Sequence, residues 1–103
     1  MMRFRSRKRE QQYRERRALV VQLLDEFPIC QRCHSAAAID VHEIIRRSQW
    51  ADGFLVRDNL RTLCRPCHTW ITEHPMQASQ EGLTDWSWNR DKYLRHAEGM
   101  PDN

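Results

Sequence analysis

Cys30-Gln31-Arg32-Cys33 and, thirty residues later, Cys64-Arg65-Pro66-Cys67-His68 bracket the stretch whose reading decides the fold. Two Cys-x2-Cys pairs supply four thiolates. That set satisfies a tetrahedral Zn²⁺ and leaves no position open for chemistry. No cysteine is left over, and in a reducing compartment paired cysteines favour metal over disulfide. The interval between the pairs exceeds the roughly 15 to 20 residues common in simple zinc ribbons, so the insert is expected to carry structure of its own.

Working outward from the pairs, Ile39-Asp40-Val41-His42-Glu43-Ile44-Ile45 is a β-branched run suited to a buried strand. Residues 46–59 carry turn chemistry in Ser48, Asp52, Gly53, Asp58 and Asn59. Residues 60–63 then predict a second strand, and residues 66–73 a helix closed by Pro75. Zinc would pin the start of the first strand to the start of that helix, fixing a ββα unit. Upstream, residues 7–27 are rich in Arg, Glu, Gln and Leu. Leu19, Val20, Leu23, Leu24 and Phe27 recur there at helical spacing, so a helix with a basic N-terminal half and an apolar C-terminal stripe is expected, ended by Pro28. Past Pro75 the signals thin. Trp86 and Trp88 flank Ser87 at strand spacing and are expected to pack over the domain. Asn89 is a candidate cap for a terminal helix over residues 90–98, ending at Gly99. The expected organisation is a basic arm and helix over 1–27, a zinc-bound core over 28–75, and a C-terminal extension over 76–103 that packs on the core.

A chain of 103 residues buries only about 60 to 70 % of the surface its unfolded form exposes. With 30 % of residues charged, a staple beyond the apolar core is needed, and the thiolates provide it. The net charge of +3 hides an asymmetry. Residues 1–17 sum to +6, with Arg3, Arg5, Arg7, Lys8, Arg9, Arg14, Arg16 and Arg17 against Glu10 and Glu15, while the rest sums to −3. A basic arm on a slightly acidic body suits a phosphate-backbone partner, since each neutralised phosphate releases counterions. No stretch reads as a secretory signal or a membrane span, so the chain is expected to be cytoplasmic.

Read together, Cys-x2-Cys, Asp40-Val41-His42-Glu43-Ile44, Asn59-Leu60 and Leu63-Cys64-x2-Cys67-His68 resemble the HNH endonuclease family in its zinc-binding form. The run from His68 to Pro75 is also similar to the small free-standing HNH proteins of tailed bacteriophages. The resemblance implies an α+β fold, the small ββα-metal domain also called a His-Me finger. It implies a structural zinc on Cys30, Cys33, Cys64 and Cys67, and a catalytic divalent ion (Mg²⁺, Mn²⁺, Ni²⁺ or Zn²⁺) on His42 and His68. Asn59 matches the asparagine that braces the loop. Glu43 stands where the family commonly has a histidine acting as general base. Three roles stay open to Glu43: a base with a raised pKa, an extra carboxylate ligand, or the mark of a lost activity.

The implied activity is hydrolysis of DNA phosphodiester bonds, in which two imidazoles leave most coordination positions free for water and phosphate. The implied partners are DNA and, through the phage likeness, terminase or packaging proteins. The alternatives are a catalytically degenerate DNA-binding module and a packaging accessory protein. Arg5, Arg7, Lys8 and Arg9 of the arm, with Arg46, Arg47, Arg57, Arg61 and Arg65 near the motif, are candidate phosphate contacts. His34 is expected to be a polar surface residue, while His74, which could approach the metal from the helix end, and His96 are weaker candidates because the motif ends at His68.

Overall fold

The computed structural model describes residues 6–94. Arg5, His96 and the end of the expected terminal helix lie outside the described residues. Helix α1 (Arg7–Glu26) begins where the Ser6 side chain accepts a hydrogen bond from the Arg9 amide at 3.1 Å. It ends as Phe27 bonds back to Leu23 and Pro28 forbids a further turn. Its stripe narrows to one buried side chain, Leu23, with Leu19, Val20 and Leu24 half-buried and Phe27 exposed.

The first knuckle closes through His34 N–H to Cys30 O and Cys30 N–H to Ala36 O. His34 sits at φ 56°, a left-handed conformation that closes the tight turn, and its ring is exposed. Strands β1 (Asp40–Glu43) and β2 (Leu60–Leu63) pair antiparallel, with His42 opposite Arg61 and Glu43 opposite Leu60. The first strand is shorter than the β-branched run suggests, because Asn59 takes over the ladder. Its backbone carbonyl accepts from Ile44, and its side-chain oxygen accepts from Ile45.

Helix α2 (Arg65–Glu73) begins inside the second knuckle, just after Cys64 and one residue earlier than expected. Pro75 does not simply terminate it. It opens a further helix, α3 (Pro75–Gln80), which the sequence reading did not anticipate. That helix ends in a Schellman cap, with Gly82 at φ 76°, Gly82 N–H on Ser79 O and Leu83 N–H on Ala78 O. The remaining described segment holds a 3-10 turn (Ser87–Asn89) and a last helix α4 (Asp91–Leu94). Asn89 does not cap α4, because its side chain bonds Asp85 instead. Trp86 and Trp88 do not pack over the domain. They are 48 % and 72 % exposed and lie against each other.

Two small apolar cores result. Cys30, Leu63, Cys64, Cys67, Ile71, Ala78 and Leu83 form one, with Trp70 against it. Ile44, Ile45 and Tyr93 form the other, with Trp50 and Val56 beside them. Residues beyond 75 contribute to both. The sheet is sandwiched between α1 and α2. Side chains alternate along β1, so Asp40 and His42 face α2 while Val41 and Glu43 face α1.

Candidate metal centres and nucleic-acid interface

The four cysteines are free thiols whose sulfurs all lie within 4.8 Å of one another. A tetrahedron of thiolates at the Zn–S length of about 2.3 Å has edges of about 3.8 Å. The Cys33 to Cys64 sulfur separation is 3.8 Å. The cage is prepared for anionic sulfur, with Cys30 Sγ accepting from the Arg32 and Cys33 amides, and Cys67 Sγ accepting from the Arg32 guanidinium at 3.5 Å. Hydrogen bonds from the Ser35 side chain and backbone hold the Cys33 thiol down to about 6, while the Cys64 thiol, despite the lowering bond from the Cys67 backbone, is pushed up to about 12 by burial and the crowding of the other thiols. The donor set and its geometry therefore fit zinc. Among the described residues this is the only cluster of three or more potential metal ligands.

One residue beyond Cys67, His68 projects from α2 toward β1, and its ring centroid lies 5.3 Å from that of His42. Each imidazole is committed at one nitrogen. His68 Nδ1 is 3.1 Å from Asp40 Oδ2, and His42 Nε2 is 2.5 Å from the Leu83 carbonyl. A ring nitrogen that donates to an oxygen leaves the other nitrogen with its lone pair, so His68 Nε2 and His42 Nδ1 are the atoms open to an ion. Burial lowers the pKa of His42, against the raising effect of its bond to Leu83, and so favours the neutral ring that a ligand must be. His68 is 38 % exposed, so this pair is reached from solvent, whereas three of the four cysteines are buried and Cys33 alone is exposed.

Asp40, to which the sequence reading assigned no role, is the hub of this face. Arg65 grips it with two hydrogen bonds of 2.7 and 3.0 Å, and His68 takes its other contact. Arg65 first, then His68, holds its carboxyl below the usual range against the opposing effect of burial. The sequence carried a signal for it. Asp40 and His42 are two apart in a strand, hence on one face.

Glu43 is not brought to the imidazole pair. Its carboxylate turns toward α1 and pairs with Arg16 at 3.6 Å and Arg47 at 3.3 Å. Arg16 also donates to the carbonyls of Phe54 and Val41, tying α1 to the sheet. Asn59 is fully buried and braces the loop, with Nδ2 donating to the Ile45 and Gly53 carbonyls at 3.0 Å. Gly53 must be glycine. A Cβ there would lie 2.8 Å from the Trp50 ring and 2.9 Å from the Asn59 amide.

The basic residues separate into two groups. Lys8, Arg9 and Arg47 line one groove of about 390 Å³ with Tyr13 and Phe54, and Arg47 lies over the Phe54 ring at 4.4 Å. Arg7 and Arg46 are exposed. Arg65 is held by Asp40, Arg57 is paired with Glu26, and Arg61 is anchored to the Asp58 and Leu60 carbonyls. Arg61 still lies beside His42, its ladder partner. Arg7, Lys8 and Arg9 occupy the first turn of α1, where the helix dipole disfavours cations. Helix stability therefore does not account for them.

His74 stacks on Trp70 at 4.9 Å and bonds its carbonyl, away from the imidazole pair. No described helix is long and apolar enough to cross a membrane. The model of the HNH endonuclease family matches residues 30–75, a little under half of the chain. Neither the curated proteins nor the solved structures contain a match to the chain.

Proposed function

From the premise that this chain carries an HNH endonuclease domain over residues 30–75, we propose that it hydrolyses DNA phosphodiester bonds at a divalent ion held by His42 and His68. The observation that carries the reading is the convergence of two imidazoles from distant parts of the chain. Each is fixed through one nitrogen by Leu83 or Asp40, on a face open to solvent. A bound ion would supply Lewis acidity to the scissile phosphate and its leaving oxygen. Asp40 and Arg65 orient His68, and the Leu83 carbonyl orients His42. Arg61, alongside His42, offers a fixed positive charge to the phosphate. Lys8, Arg9 and Arg47 bind backbone phosphates away from the cut, Arg46 meets phosphate in the cleft beside His42, and Arg5 and Arg7 remain candidate contacts of the basic arm. Asn59 acts through the loop it braces. Glu43 serves as the tie between α1, Arg47 and the sheet, not as the proton acceptor.

A cytoplasmic location is supported by the cysteine pattern, since two Cys-x2-Cys pairs gathered at one point suit metal binding in a reducing compartment better than disulfides. A role beside the packaging machinery of a tailed phage rests on the residues 68–75 alone. The ion pairs of Glu43 favour a second reading, a zinc-stapled module that binds DNA without cutting it. Supercoiled plasmid incubated with Mg²⁺, Mn²⁺ or Ni²⁺ separates the two. Metal-dependent nicking that His68→Ala abolishes is the expected result. Retention of DNA without nicking under any of these ions establishes the second reading.

A further inference from the structure

Trp86 and Trp88 are the largest apolar side chains left in solvent at the edge of the candidate active face. Their rings stack at 5.3 Å and 9° and stay 48 % and 72 % exposed. Their position is built, not incidental. Asp85, the residue before them, gathers the segment around one carboxylate. The Trp86 amide and the Asn89 side chain donate to its Oδ1, and Tyr93 and Lys92 meet its Oδ2. The Asp85 amide in turn donates to the Ile44 carbonyl, two residues past His42. A rigid bracket thus runs from the end of β1 to the indole pair.

The same bracket borders a cleft of about 730 Å³ that His42, Arg46, Met76 and Trp86 line among others. The acidic groups near this cleft already have cationic partners, Glu43 with Arg16 and Arg47, and Asp85 with Lys92. An entering polyanion therefore meets Arg46 without an uncompensated carboxylate from these two residues. Indole faces that protrude beside a phosphate-compatible cleft bind what nucleic acids offer when bases are unstacked, a free π-face. Continuous duplex covers its base faces, so it offers the pair nothing to stack on.

We infer that Trp86 and Trp88 form a base-stacking platform that directs the protein to DNA with unpaired bases beside the cut, such as single strands, flaps or frayed ends. This deepens the DNA-cutting reading and rests on it for the identity of the polymer. Binding tests it without requiring cleavage. In the His68→Ala background, with zinc retained and no other divalent ion added, anisotropy is measured on a labelled single strand and on a blunt duplex of the same length. Trp88→Ala is expected to weaken single-strand binding roughly ten-fold, the loss of one base–aromatic stack, with duplex binding changed less than about two-fold. Trp88→Phe is expected to keep most of the affinity, and circular dichroism shows that both variants are folded. Equal losses on both DNAs, or none on either, overturn the inference. So does a wild-type dimer that Trp88→Ala dissociates, which makes the pair a protein interface. Failure of wild-type protein to nick plasmid sinks the cutting reading alone and leaves this measurement to decide the platform.

Discussion

Cys67 and His68 are neighbours on α2, yet they serve two sites that differ in what an ion can do there. Cys67 turns into a cluster of four thiols, three of them in an apolar core and Cys33 at the surface. His68, about 100° further round the helix, turns to a solvent-facing pair with His42. Four thiolates would fill every coordination position of a zinc ion and tie the first knuckle to α2. Two imidazoles would leave most positions of an ion open. A closed site sets the stage for an open one, and the two should fail differently when damaged.

The largest effect is expected on the closed side. Zinc removal or Cys67→Ser should abolish the cooperative thermal transition followed by circular dichroism, because structural zinc contributes about 10 to 16 kcal/mol in zinc-finger peptides. That rivals the whole stability of a small domain. A metal-free chain that still melts cooperatively would place the fold's support in the two cores instead. Next comes the brace between the sites. Asn59→Ala strands the Ile45 amide and the Ile45 and Gly53 carbonyls in the interior, and it should cost about 2 to 4 kcal/mol in urea unfolding.

Asp85→Asn sharpens the comparison through pH. The folded pKa of Asp85 is depressed by hydrogen bonds from Asn89, Lys92, Tyr93 and the Trp86 amide, which outweigh burial, itself the largest single influence. A depressed carboxylate contributes stability that is complete above its unfolded value of about 3.9 and lost as pH falls toward the folded one. Wild type should therefore melt above Asp85→Asn at pH 7, by about 1 to 3 kcal/mol of stability, and the gap should begin to narrow only below about pH 4 and go on shrinking as pH falls further. A gap independent of pH would show that the charge of Asp85 is not what holds the bracket.

On the open side, stability should barely move while activity does. His68→Ala is expected to shift unfolding by less than about 1 kcal/mol, as for a half-exposed side chain, and to eliminate nicking. The smallest effect is assigned to Glu43→Gln, with nicking within about ten-fold of wild type, since a general base typically contributes about 100-fold or more. Complete loss would return that carboxylate to the chemistry.

How much of this was legible beforehand varies by region, for physical reasons. Cysteine spacing announced the cage, because four soft ligands in two tight pairs have one economical arrangement. Helical periodicity and Pro28 bounded α1, and the expected second strand over residues 60–63 is β2. The helix after Pro75 was also written in the chain, with proline at its first position and Gly82 past its end, but six residues carry too little periodicity to stand out.

The sequence by itself determined which elements and which ligand types this protein has, because spacing, caps and side-chain chemistry are local properties. Only the tertiary structure decided which side of β1 meets which helix. That choice joins His42 to Asp40 and His68, and turns Glu43 toward Arg16. It also decided that the two tryptophans stand in solvent, since whether an indole is covered depends on what the rest of the chain brings to it. Burial and convergence are properties of packing between distant segments, and no local pattern encodes them.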